Sequence, residues 1–182
     1  MAVRKSRKSR RSLGVVGACL ILLAGCEAEP PRAEPAASEA PGPESVPVSL
    51  AGERFHLELA AERASRYQGL SQRPHVPESS GMLFAFPEAE PLVFVMRHCL
   101  VPIDIAFVDD AGRVVALYAM AVEPPQRGDE TPFAYESRLR RYPSGAPARF
   151  AVELAGGTLA RLGLRVGDAA EFDREAVLRR AQ

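Results

Sequence analysis

Leu92–Val122, LVFVMRHCLVPIDIAFVDDAGRVVALYAMAV, is the stretch that decides the fold. Three apolar runs rich in Val, Ile and Phe are separated by Pro102 and by Asp109-Asp110-Ala111-Gly112. β-branched and aromatic runs broken by turn residues read as strands, here one strand followed by a β-hairpin. The stretch is expected to form the centre of a sheet, with a strand over 92–100 and a hairpin of 103–109 with 113–120. Within it, the charged residues flanked on both sides by apolar sequence are Arg97 and Asp104. Buried chemistry is looked for there first.

Outward from this centre, the chain has the length of one domain with appendages: 182 residues, 47% of them hydrophobic. Its formal charge of zero combines two unlike parts. Arg4, Lys5, Arg7, Lys8, Arg10 and Arg11 precede every acidic residue, so a basic leader is balanced by an acidic remainder. After the leader comes the apolar run Leu13 to Leu23, too short to cross roughly 30 Å of hydrocarbon, and residues 1–25 therefore read as a secretory signal. Leu23-Ala24-Gly25-Cys26 resembles the bacterial lipobox, which makes Cys26 an acylated lipid anchor carrying chains such as palmitate. Each buried CH₂ contributes about 0.8 kcal/mol to membrane binding, so several chains hold the protein on the membrane almost permanently. Glu27, rather than Asp, favours the outer membrane if the sorting pattern of Gram-negative bacteria applies. Ser9-Arg10-Arg11-Ser12-Leu13 also resembles a twin-arginine export signal. Export and an acidic mature chain point away from nucleic acid as a partner.

From Glu27 to about Ser49 the chain is mostly Pro, Ala, Glu and Ser and cannot bury enough apolar surface to offset ordering entropy, so residues 26–50 read as the acylated Cys26 followed by a disordered spacer. A globular domain is expected over 51–173 and a tail over 174–182. Strands are expected over 55–60, 82–86 (ended by Pro87), 149–154 and 169–172, with a weaker one over 133–137. An early helix is expected over 61–72, a short helical turn over 158–164 and a helical tail over 174–181. The fold class is mainly β: a compact, mostly antiparallel sheet or small barrel with one early helix.

Five segments in order resemble the domain of unknown function 192 family: Arg66-x-x-Gly69-Leu70-x-x-Arg73, Gly81 to Phe86, Met96 with Pro102 to Phe107, Val152-Glu153-Leu154 with Gly157, and Gly167-Asp168. The resemblance covers roughly 55–172. It implies a β-rich, barrel-like domain of exported bacterial proteins and assigns no reaction. Where the family usually shows Trp-Met-Lys-Asn-Thr, this chain has Val95-Met96-Arg97-His98-Cys99, which keeps the positive charge but alters its geometry.

The candidate pocket combines Arg66, Arg73, Met96, Arg97, Asp104, Tyr135 and Ser137. A buried Arg and Asp must find partners, because an uncompensated interior charge costs several kcal/mol. Arg97 and Asp104 either pair with each other, or with Arg66 or Arg73, and fix the register; or Arg97 with Arg66 or Arg73 presents a cationic pocket to a small anion such as a carboxylate or sugar acid. Tyr135 and Ser137 would add neutral hydrogen bonds at its rim.

Strand alternation sets His98 and Cys99 on opposite faces, which argues against a thiol-imidazole dyad, and Cys99 reads as a small buried apolar residue. Cys19 leaves with the signal and Cys26 is acylated, so Cys99 has no disulfide partner in its chain. The histidines are isolated, and no metal or cofactor is expected. The function read from the sequence is a membrane-anchored envelope lipoprotein that binds a small anionic ligand or an envelope protein. The alternatives are a hydrolase or transferase using Asp104 with Arg97, and a structural interaction domain.

Overall fold

The structure is a computed structural model and describes residues 44–181. The expected signal peptide, the Arg10-Arg11 pair, Cys26 and the spacer up to Pro43 lie outside the described residues. The domain is mainly β, as the sequence predicts. Its strands are β1 (Ser45–Leu50), β2 (Glu53–Ala60), β3 (Ser80–Phe94), β4 (Ile103–Val108), β5 (Val114–Met120), β6 (Tyr142–Ala155) and β7 (Ala170–Glu171). Four short helices intervene: α1 (Arg63–Gln68), α2 (Pro132–Arg138), α3 (Thr158–Leu162) and α4 (Arg174–Leu178).

The strands form one curled sheet in the order β5-β4-β6-β3-β2-β1-β7. All pairs are antiparallel except β2 with β3, which run parallel because the connection carrying α1 crosses over between them. The ends of the sheet touch at one corner. Arg113 bridges Ala169, and the amides of Val114, Gly167 and Ala170 bond to Asp168 O, Val114 O and Gly112 O at 2.8–2.9 Å.

Alternation sorts the apolar residues onto two faces. On one face Val48, Leu50, Phe55, Leu57, Leu83, Ala106, Val108, Phe150 and Val152 pack with Leu159 of α3 and Val177 of α4. On the other face Phe84, Met96, Cys99, Ile103, Ile105, Phe107 and Ala151 pack beneath the segments before and after α1. β4 is buried along its whole length, but the β4–β5 hairpin is not the centre of the sheet as expected: β5 forms one edge with β4 beside it, and the long strand β3 takes the middle place because β2 and β6 pair on its two sides.

The structure departs from the sequence reading at other places too. β1 occupies residues assigned to the spacer. Val46, Val48 and Leu50 point inward in alternation, which is enough to dock the segment on β2, and Pro47 lies beyond the two residues that pair with β7. Pro87 does not end its strand: β3 continues to Phe94 through a register shift between Ala85 and Glu90, a place where a missing N–H is tolerated. The strand expected over 92–100 stops at Phe94, because the backbone of 97–98 bonds elsewhere. Gln72 N donates to His98 O at 2.8 Å, Ser71 Oγ to Arg97 O at 2.7 Å, and His98 N to Tyr135 Oη at 2.9 Å. The weak strand expected over 133–137 is α2, since Thr131 caps the Ala134 amide and Pro132 supplies the first turn.

Candidate functional site

A cleft of about 280 Å³ opens between α1, the outer end of β3 and the 95–99 turn. α1 supplies Arg63, Arg66 and Tyr67, and it stops at Gly69, whose φ of 53° suits a residue without a Cβ. β3 supplies an aromatic wall: Phe94 meets Phe84 and Phe86 edge to face, with ring centroids 4.9 and 6.5 Å apart. At the floor lies Glu153 of β6, registered between Met82 and Ile105 and only 5% exposed. A Cβ placed on Gly69 would sit 3.6 Å from Glu153 Oε2.

Glu153 is a strongly perturbed carboxyl. Burial pushes its pKa up to about 7, against a hydrogen bond from the Leu70 amide and the charge of Arg73, both of which pull it down. Its Oε2 has no hydrogen-bond partner among the described residues. Cys99 lines the same cleft, and burial followed by the Glu153 charge pushes its thiol up to about 12. A thiol so far from ionisation is no nucleophile at neutral pH. It packs as the small apolar residue the sequence suggests.

Arg97 stands between this cleft and a second one of about 280 Å³, lined by His98, Gln126, Tyr135 and Glu136 as well as by Tyr67 and Ser71. Its guanidinium pairs through two nitrogens with Glu136 of α2, donates to Tyr67 O at 3.3 Å and lies 4.2 Å from the Tyr67 ring centroid. The Glu136 hydrogen bond raises the Arg97 pKa and lowers that of Glu136.

The residues singled out from the sequence separate. Arg66 and Arg97 line the first cleft; Arg66 donates to Ala85 O at 3.0 Å and sits over the Phe86 ring, and burial lowers its pKa. Arg73 is paired with Glu58 through both guanidinium ends and lines neither cleft. Met96 is a core residue, 1% exposed. Tyr135 lines the second cleft and stacks on His98 at 4.8 Å. Ser137 is exposed and donates to Phe133 O. Asp104 does not meet Arg97. It points to the opposite face of β4, where Oδ2 accepts the Leu159 amide at 2.8 Å and holds the start of α3. Alternation along Ile103-Asp104-Ile105 separates it from the arginines, so the pairing considered from the sequence is replaced by Arg97 with Glu136.

This arrangement of strands can be set beside known proteins. The model of domain of unknown function 192 (DUF192), described as an uncharacterized ACR, matches residues 46–172. The chain belongs to the DUF192 family. No curated protein matches it. Two crystal structures are similar. One is a protein of unknown function from Novosphingobium aromaticivorans DSM 12444, at 33% identity and a TM-score of 0.59, covering 80% of this chain and 94% of that one. The other, from Sinorhizobium meliloti 1021, is described provisionally as a transcription regulator; it has 29% identity and a TM-score of 0.57, covering 71% of this chain and 92% of that one.

In this DUF192 domain the sequence reading missed Tyr67, Glu136 and Glu153. Glu153 carried a usable signal: in Phe150-Ala151-Val152-Glu153-Leu154 it is an acid flanked by apolar residues, as Asp104 is. Glu136 carried none, because its role depends on α2 packing beside the 95–99 turn.

Proposed function

We propose that this DUF192 protein is a lipid-anchored envelope protein whose domain binds a small anion in the cleft above Glu153. The observation that carries the reading is the charge of the lining: Arg63, Arg66 and Arg97 against a single carboxyl, Glu153, beside an aromatic wall. Arg97 turns only part of its five N–H donors toward Glu136 and Tyr67, and the remainder are available to a ligand. The volume suits a molecule of about monosaccharide size, given roughly 30 Å³ per water in the liquid. The anchor rests on the Leu23-Ala24-Gly25-Cys26 sequence and places that ligand in the envelope.

Titration of the full chain with sodium glucuronate or sodium sulfate at pH 6, followed by the backbone amide shifts of Gly69, Leu70 and Ser71, tests the binding. Saturable shifts are expected, with affinity about tenfold weaker in Arg97→Ala; a wild-type chain that shows no saturable shift overturns the reading. In the producing cell Cys26→Ser should prevent acyl labelling and release the domain from membranes. Unchanged labelling would sink the anchor.

A further inference from the structure

Glu153 sits oddly in a cleft that attracts anions. With its carboxylate ionised, an anion arriving beside Arg66 and Arg97 would face a second negative charge in a low-dielectric floor, where like charges repel strongly. The geometry supplies a way out. Oε2 is buried, unpartnered among the described residues and next to Gly69 in the cleft wall, while the carboxylate already accepts the Leu70 amide. A protonated Glu153 would offer one O–H donor, and an O–H···O⁻ hydrogen bond to an anion is among the strong ones.

Resting on the anion-binding reading above, we propose that the anion enters this cleft together with a proton: Glu153 takes up H⁺ from solvent and its Oε2–H donates to the bound anion. One proton is consumed and no covalent bond of the ligand changes. A Glu153 pKa already near 7 makes that proton cheap at neutral pH.

The neighbours of Glu153 leave it as the group that titrates. On β3 and β4 it is flanked by Met82 and Ile105. From β2, Glu58 is paired with Arg73. α1 presents Arg63, Arg66 and Tyr67, and the 95–99 turn presents Arg97, paired with Glu136 of α2, and Cys99. Cys99, pushed up to about 12, stays a thiol, and arginines stay charged. Histidine is the side chain that ordinarily changes charge between pH 6 and 8. His98 faces the second cleft, so His98→Gln serves as the control.

The test is calorimetric titration of the full chain with sodium glucuronate, and separately with sodium sulfate, at pH 6 and pH 8. Both probes keep a fixed charge over that range. If only the protonated protein binds, affinity at pH 6 exceeds that at pH 8 by about tenfold. Glu153→Gln, a permanent donor of the same shape, should bind at both pH values as the wild type does at pH 6, and His98→Gln should keep the tenfold difference. Titration at pH 8 in two buffers of different ionisation enthalpy should show uptake of about one proton per anion. This last measurement uses the wild-type chain and decides the matter even where the Gln variant does not fold. Saturable wild-type binding with equal affinity at both pH values, no proton uptake, or a slope that survives Glu153→Gln or disappears in His98→Gln overturns the proton coupling and leaves the anion site standing. Absence of saturable binding at both pH values overturns both.

Discussion

Glu153 ties the stability of the domain to pH in a direction opposite to most carboxylates. An unfolded glutamate titrates near 4.3, whereas burial raises Glu153 to about 7. Between those values the folded chain holds a proton that the unfolded chain has lost. Its contribution is therefore fully present below about pH 4.3 and is lost as pH rises to about 7, a change on the order of 4 kcal/mol. Glu136 works the other way, because Arg97 lowers its pKa: its contribution is present above the ordinary carboxylate range and fades in acid. Urea midpoints of the wild type are thus expected to fall between pH 5 and pH 7.5, and those of Glu153→Gln to stay level there. A wild type with a flat profile over that window would show that Glu153 folds already ionised. Two residues legible in the sequence behave as their setting suggests: Cys99 is a packed thiol, and the Arg97 charge finds an acid. The identity of that acid was not legible, because an ion pair depends on two segments 39 positions apart meeting in space.

At the level of elements, α2 is the piece on which the second cleft and the Arg97 clamp depend. It is seven residues long and presents Tyr135 and Glu136 inward while Phe133 stays in solvent. So short a helix has little stability of its own and relies on its cap. Thr131 Oγ1 accepts the Ala134 amide at 3.2 Å. Thr131→Ala should cost about 1 kcal/mol in chemical denaturation, and the Arg97→Ala penalty should shrink in its background, because the two act on one contact. Full additivity of the two would show that the clamp does not need the cap. The strands that sequence reading placed correctly are those with strict alternation or a bounded apolar run, β2, β4, β5 and the inner part of β6. Two of the misreadings come from strand-forming residues outweighed by their neighbours. Phe133-Ala134-Tyr135 has strand-forming residues, but the preceding Thr-Pro start outweighs them, and 95–100 has strand-like residues whose backbone is claimed by Ser71, Gln72 and Tyr135.

Over the whole molecule, the curl of the sheet brings its ends together. A seven-stranded sheet with open ends exposes unpaired edges, and the contact of Arg113 with Ala169 covers part of both. The amides of Val114, Gly167 and Ala170 donate the closing bonds, so their hydrogen exchange should be slowed by orders of magnitude relative to the exposed Gly128. Exchange at the Gly128 rate would mean that this corner opens freely. By itself the sequence determined the β class, the β4–β5 hairpin and the family, because alternation, turn chemistry and the order of five short segments are local properties that a chain carries in any state. Only the tertiary structure decided the parallel β2–β3 pair, the parting of Asp104 from Arg97 onto opposite faces, and the gathering of Glu153, Arg66 and Arg97 around one cleft. Those features arise from packing between segments distant along the chain, where a one-residue change of register, or a short helix in place of a strand, sends a side chain to the other side of the sheet.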